Sequence, residues 1–198
     1  MNIEIFCLKN EGRKHVRTPF TQGGHTYATD GSIIIRVPKL IGYAMDDKKN
    51  FPIVTDLKWD HDSLEFEDPP SIKISGLPAC TICDGLGRSE ICDECKGEGI
   101  IIFKNTFSLY ECECETCNGD GYTKGGDSPC IECMGTGKNL KENRIKFGER
   151  YFSAYYIYKI KKNLHVIKFS KNGDESEREP LRFKFDGGCG LLMPMKAI

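Results

Sequence analysis

Apolar and polar positions change rhythm several times along this chain of 198 residues, and each rhythm predicts a different element. Arg144-Ile145-Lys146-Phe147 alternates and predicts a short strand. From Glu149 to Lys162 the period lengthens. Phe152, Tyr156 and Ile160 recur every fourth residue, which predicts a helix with one apolar face. Leu164-His165-Val166-Ile167-Lys168-Phe169 reads as a strand, and the polar stretch Ser170 to Glu179 as a turn or loop. Leu181-Arg182-Phe183-Lys184-Phe185 alternates as a half-buried strand. Asp186-Gly187-Gly188 is a turn, and Gly190-Leu191-Leu192-Met193 the last strand. At the other end, Ile3-Glu4-Ile5-Phe6 reads as a first strand and Ile33-Ile34-Ile35-Arg36-Val37 as a later one. Only Asn10 to Arg17 is available for a helix before Pro19. The pattern predicts an α+β domain in two parts, residues 1–75 and 141–198, interrupted by an insertion at 76–140.

Within the insertion the dominant pattern is chemical. Cys80-Thr-Ile-Cys83, Cys92-Asp-Glu-Cys95, Cys114-Glu-Thr-Cys117 and Cys130-Ile-Glu-Cys133 are each followed by x-Gly-x-Gly, so C-x-x-C-x-G-x-G occurs four times. Two thiolates separated by two residues can grip one face of a tetrahedral ion about 2.3 Å away. The chain must then turn sharply past the metal, and glycine accepts the positive φ such turns need. Eight sulfurs make two closed four-cysteine sites for two Zn2+ ions. A closed site has no open position for water and is structural, not catalytic. Few large apolar residues accompany the cysteines, so metal binding should supply most of the folding free energy of this segment.

The four repeats closely resemble the cysteine-rich domain of DnaJ-type chaperones. In that family the outer repeats share one zinc and the inner repeats the other. The resemblance implies one site from Cys80, Cys83, Cys130 and Cys133, and a second from Cys92, Cys95, Cys114 and Cys117. It also implies a two-zinc β-hairpin module with the inner site at its tip, joined by the apolar-rich Ile100-Ile101-Ile102-Phe103. The chain contains no His-Pro-Asp tripeptide, so no J domain is expected in it. Cys112, two residues before Cys114, is expected to be no ligand, and Cys7 and Cys189 to be core residues.

The flanks resemble one domain of a bacterial DNA sliding clamp, built from βαβββ halves. Arg150-Tyr151-Phe152 matches the aromatic stretch that opens its last half-domain, and Met193-Pro194-Met195 the closing tail. Tyr27-Ala28-Thr29-Asp30-Gly31 matches a strand end of the first half. A clamp chain repeats this domain and this chain has room for one, so a ring would require homo-oligomerisation. Clamp helices face DNA. The first segment carries Lys9, Arg13, Lys14 and Arg17, and the second Arg150, Lys159, Lys161 and Lys162. Arg150 and Lys161 are expected to share a helix face, opposite Phe152 and Tyr156. Arg13, Lys14, Arg17, Arg150 and Lys161 are the candidate nucleic-acid contacts, and Met193, Pro194 and Met195 the candidate peptide contacts.

Charge sharpens this picture. The overall net of −1 hides a segment 76–140 with 5 basic and 11 acidic side chains and a segment 141–198 with 13 basic and 7 acidic. Eight thiolates and two Zn2+ would take the insertion to about −10, a surface that repels phosphate and suits a protein partner. With no signal peptide, no apolar run long enough to span a bilayer, and 11 cysteines arranged for metal, a cytoplasmic protein of a bacterial or phage-infected cell is expected. No catalytic constellation stands out, and His15, His25, His61 and His165 are scattered. An enzyme is not expected. The primary expectation is a non-catalytic accessory or antagonist protein of DNA metabolism or replication, of phage type, with weak non-specific DNA contact. The alternative is a chaperone-like binder of unfolded polypeptide. Thiol–disulfide chemistry ranks last, because the thiols are committed to metal.

Overall fold

The computed structural model describes residues 1–7, 17–45, 54, 57, 59, 64–171 and 179–196. In chain order, a 3-10 turn at Ile3–Phe6 is followed by β1 (Phe20–Gln22), β2 (His25–Thr29), β3 (Ile33–Pro38), β4 (Ala44–Met45) and β5 (Phe66–Glu67). Next come β6 (Arg88–Ile91), β7 (Ile100–Lys104), β8 (Leu109–Glu113) and β9 (Tyr122–Pro129). The chain closes with β10 (Arg144–Phe147), β11 (Arg150–Ser153), α1 (Ala154–Asn163), β12 (Lys168–Ser170), β13 (Leu181–Phe185) and β14 (Gly188–Leu192). Two compact units result: a body of Met1–Ile72 and Arg144–Ile198, and a module of Lys73–Asn143.

The body is built on one eight-stranded sheet, ordered β4-β1-β2-β3-β14-β13-β12-β5. Two antiparallel meanders, β1-β2-β3 and β12-β13-β14, meet edge to edge where Ile33–Arg36 pairs with Cys189–Leu192. Alternation puts Ile33, Ile35 and Val37 of β3, and Leu181, Phe183 and Phe185 of β13, into the core. Ile3, Phe6, Cys7, Ala28, Phe147, Phe152, Ile157, Ile160, Leu164, Phe169 and Leu192 complete it. Each Val, Leu, Ile or Phe side chain among them contributes about 1.5–3 kcal/mol of apolar burial.

The turn between β2 and β3 has a second function. The Asp30 carboxylate accepts hydrogen bonds from the backbone N–H of Ser32 at 3.0 Å and Ile33 at 3.2 Å, closing the turn. Its other oxygen lies 3.4 Å from Lys159 Nζ on α1, both side chains being less than a tenth exposed. The ammonium also sits over the rings of Phe6, Tyr155 and Tyr156 at 5.6–5.7 Å. Burial, helped by the Asp30 charge, pushes the Tyr156 hydroxyl well above its ordinary value. Burial likewise pushes the neighbouring Cys7 thiol up to about 11.

Several expectations from the periodicity are corrected. Ile3–Phe6 is a 3-10 turn, not a strand: Ile3 and Phe6 are three residues apart and both buried, which a threefold helix achieves and a strand does not. The helix starts at Ala154, not Glu149. Arg150–Ser153 instead pairs with Arg144–Phe147 as a hairpin, with Gly148 at φ 59° in its turn. Phe152 is therefore buried from a strand, opposite Ile145. The strand expected from Leu164 begins only at Lys168, after Val166 takes φ 52°. Met193 N–H donates to Ser32 O and Met195 N–H to Tyr151 O, each at 2.8 Å, so the Met193-Pro194-Met195 tail is tied to the body by its backbone.

Candidate metal centre

In the module every repeat folds the same way. The residue after the second cysteine is left-handed in all four: Asp84 (φ 50°), Lys96 (56°), Asn118 (50°) and Met134 (53°). The following glycine continues the turn at positive φ. The backbone is thereby wrapped around the second cysteine. Its sulfur accepts the N–H of the repeat's last glycine: Gly87 to Cys83 at 3.2 Å, Gly99 to Cys95 at 3.3 Å, Gly121 to Cys117 at 3.2 Å and Gly137 to Cys133 at 3.2 Å. Such bonds favour the thiolate, the form that binds metal.

The outer and inner repeats pair separately. Cys80, Cys83, Cys130 and Cys133 form one buried group and Cys92, Cys95, Cys114 and Cys117 the other, each with all sulfurs within 4.8 Å of one another. Cys83 and Cys133 sulfurs are 3.8 Å apart, as are those of Cys92 and Cys114, and Cys95 and Cys117 are 3.7 Å apart. A disulfide would need about 2.05 Å. A tetrahedron with Zn–S of about 2.3 Å has edges of about 3.8 Å, so the donor set and its spacing fit zinc.

What selects the partner repeat is the backbone. Cys80 N–H donates to Gly137 O at 2.9 Å while Cys130 N–H donates to Gly87 O at 2.8 Å. The inner repeats make the same exchange, Cys92 to Gly121 and Cys114 to Gly99, both at 2.9 Å. These bonds bring glycine onto glycine: a Cβ on Gly87 would lie 2.6 Å from Gly135 O. Side chains at the last glycine would hold the paired repeats apart, and the sulfurs with them.

Four thiols this close cannot all ionise without a cation. Burial pushes Cys80 up to about 12, with the nearby Cys130 and Cys133 adding to the effect, and burial also pushes Cys117 up to about 12. Burial opposes ionisation of Cys95 too, but N–H donors from Gly99 and Gly97 and the sulfurs of Cys117 and Cys92 outweigh it, bringing this thiol down to about 7. A divalent ion displaces the remaining protons and neutralises the repulsion.

Two ribbons complete the module. β6 pairs with β9 and β7 with β8, the latter forming a hairpin that leaves directly from the inner site. Asn105 N–H donates to Ser108 O at 3.0 Å, and Asn105 Oδ1 accepts from Phe107 N–H at 2.9 Å and Ser108 N–H at 2.8 Å. This ordered turn holds Phe107 93% exposed. Phe103, Leu109 and Tyr110 are also more than half exposed, and Ile102 nearly so. Cys112 is exposed on β8 and belongs to neither metal group. The apolar stretch is legible in the sequence as a connector. That its side chains face solvent is not, although a segment with no apolar core to offer them is the available signal.

Among the described residues, Arg150 and Lys161 do not share a helix face. Arg13 and Lys14 lie outside the described residues, as does most of the stretch expected to form the first helix, and Arg17 lies in a bend ahead of β1. Arg150 is on β11, where its guanidinium meets the Glu179 carbonyl and the Phe152 ring, so it shares no helix face with Lys161. Lys161 Nζ donates to Pro70 O at 3.2 Å, and Lys159 is buried against Asp30.

Three relatives illustrate what the chain is similar to. It is 35% identical over 79 residues to chaperone protein DnaJ of Francisella philomiragia, covering 38% of this chain and 21% of that one. It is 33% identical over 78 residues to chaperone protein DnaJ of Protochlamydia amoebophila, 37% of this chain and 20% of that one. The match to chaperone protein DnaJ of Helicobacter pylori is 32% over 79 residues, 38% and 21% respectively. The chain thus spans about a fifth of the length of these relatives. No family model matches it, and no solved structure does. The sliding-clamp likeness accordingly has no support. The two four-cysteine groups together with the DnaJ matches identify a DnaJ-type zinc module suited to two zinc ions. Among the described residues no helix is long and apolar enough to cross a membrane.

Proposed function

We propose that this protein is a non-catalytic, chaperone-like binder of non-native polypeptide, with the zinc module as its contact element. The observation that carries the reading is the row of apolar side chains held in solvent on the β7–β8 hairpin, with Phe107 at 93% exposure. Large apolar side chains gathered in solvent on one hairpin suit an interaction site, and non-native chains present matching apolar segments. The metal makes such exposure tolerable. Folding of the module rests on sulfur–zinc bonds, so these side chains are not needed to build a core. The similarity to DnaJ chaperones over 79 residues supports the same reading. The closed thiolate sites offer no position for a substrate or water, in keeping with a role without chemistry. No observation favours DNA metabolism over this reading.

The test is suppression of aggregation. A client enzyme diluted from denaturant should scatter less light in the presence of the zinc-loaded protein, in proportion to its concentration. Scattering unchanged at a large molar excess of fully zinc-loaded protein overturns the proposal.

A further inference from the structure

The hairpin is asymmetric in its chemistry, and the asymmetry specifies a ligand. β7 reads Ile100-Ile101-Ile102-Phe103-Lys104, almost uniformly apolar. β8 reads Leu109-Tyr110-Glu111-Cys112-Glu113, and all five of its residues are exposed. The register places Ile101 opposite Cys112 and Phe103 opposite Tyr110, so these four share one face. Ile100 opposite Glu113 and Ile102 opposite Glu111 share the other. Within the described residues β8 pairs with β7 alone, so its second edge is open. β8 carries no lysine, proline or bulge against β7; the charge on its edge comes from Glu111 and Glu113, which disfavour an acidic strand and leave the edge open to a basic one.

We propose that the outer edge of β8 captures an extended polypeptide segment with alternating apolar and basic side chains, added as a third strand. The inference rests on the chaperone-like reading and names the class of segment it selects. A strand on that edge would set alternate side chains beside Tyr110 and Cys112, continuing an apolar face, and the intervening ones beside Glu111 and Glu113, where lysine or arginine is favoured. The backbone ladder supplies affinity without regard to sequence, and the two faces supply the preference. The surrounding charge points the same way. Segment 76–140 carries 11 acidic against 5 basic side chains, which attracts a basic segment and repels nucleic acid and anionic lipid.

The test uses the full-length, zinc-loaded protein and three fluorescent peptides read by anisotropy: valine alternating with lysine, valine alternating with glutamate, and the first composition with its valines and lysines in separate blocks. The alternating lysine peptide should bind about tenfold more tightly than the other two. Double charge reversal, Glu111→Lys with Glu113→Lys, should transfer the preference to the glutamate peptide at unchanged zinc content. An alternating lysine peptide N-methylated along the pairing edge should lose binding, which tests strand addition without altering the protein. Equal binding of all three peptides, a preference that survives charge reversal, or full binding of the N-methylated peptide overturns the inference. Aggregation suppression measured in parallel separates the two levels. If the protein still protects client while the peptide pattern fails, the broader reading stands and the β8 edge is wrong. If the protein protects nothing, the broader reading is itself wrong.

Discussion

The body and the module of this chain solve the same problem with opposite materials. In the body, Phe6, Phe152, Phe169 and Phe183 are fully buried among aliphatic neighbours beneath an eight-stranded sheet. In the module the buried clusters are cysteines, with only Ile82 and Ile101 packed partly against them. The body spends its large apolar residues on cohesion. The module, pinned by metal, leaves Phe103, Phe107 and Tyr110 in solvent. The difference teaches that a domain whose folding free energy comes from metal–sulfur bonds can offer its hydrophobic side chains to a partner. A domain relying on burial cannot do this without weakening itself.

The strongest way to break this comparison is to remove the metal. Structural zinc sites contribute about 10–16 kcal/mol of binding free energy, so chelation should unfold the module outright. The body should keep its structure, and two-dimensional NMR of a chelated sample should lose the resonances of Lys73–Asn143 selectively while those of the β-sheet persist. Native mass spectrometry of untreated protein should count two zinc ions. Acid should act in the same direction. Zinc holds its thiolates deprotonated, depressing their effective pKa, so their stabilisation is present at neutral pH and lost as pH falls. Burial already holds the Cys114 and Cys117 thiols of the inner site above their ordinary value, so protons compete with the metal there more strongly as pH falls. Zinc release followed with a coloured chelator should therefore rise as pH is lowered.

The converse perturbation strikes the body. Phe183→Ala removes a fully buried ring from β13 and should cost about 3–5 kcal/mol in denaturant unfolding, with the zinc count unchanged. Next in size is the buried ion pair. Lys159→Ala leaves the Asp30 carboxylate without its buried cation and should cost about 3 kcal/mol. Replacing both partners with apolar residues of similar volume should cost less on the charge side, although Asp30 also closes the β2–β3 turn. The smallest thermodynamic effect is expected at the tip. Phe107→Ala should change stability by no more than about 0.5 kcal/mol, because the ring is exposed. It should nevertheless reduce client protection. A large loss of stability in this variant would show that Phe107 supports the fold.

Where local chemistry sufficed, the sequence was readable. Each C-x-x-C-x-G-x-G unit folds from its own residues, since the N–H that meets a cysteine sulfur comes from a glycine four positions later. Strict alternation likewise located β10 and β13 correctly, because a pleated strand needs no distant information to face its side chains two ways. Short ambiguous runs were misread. Four residues at Ile3–Phe6 suit either a strand or a 3-10 turn, and Phe152 fits a helical stripe as well as a hairpin face. The left-handed turn at Lys96 and Met134 was hidden as well, since neither residue type signals it.

By itself, then, the sequence determined the ligand set, the glycine turn past each ligand pair and the sign of the module's charge, all of which arise within a few residues or from composition. Which knuckles share an ion was implied by the DnaJ resemblance but not by spacing, and the tertiary structure bears it out through backbone bonds between Cys80 and Gly137 and between Cys92 and Gly121. Tertiary structure also decided the meaning of Ile100-Ile101-Ile102-Phe103. An apolar run reads the same whether it enters a core or faces water, and only the folded module, with metal where a core would be, leaves most of it outside.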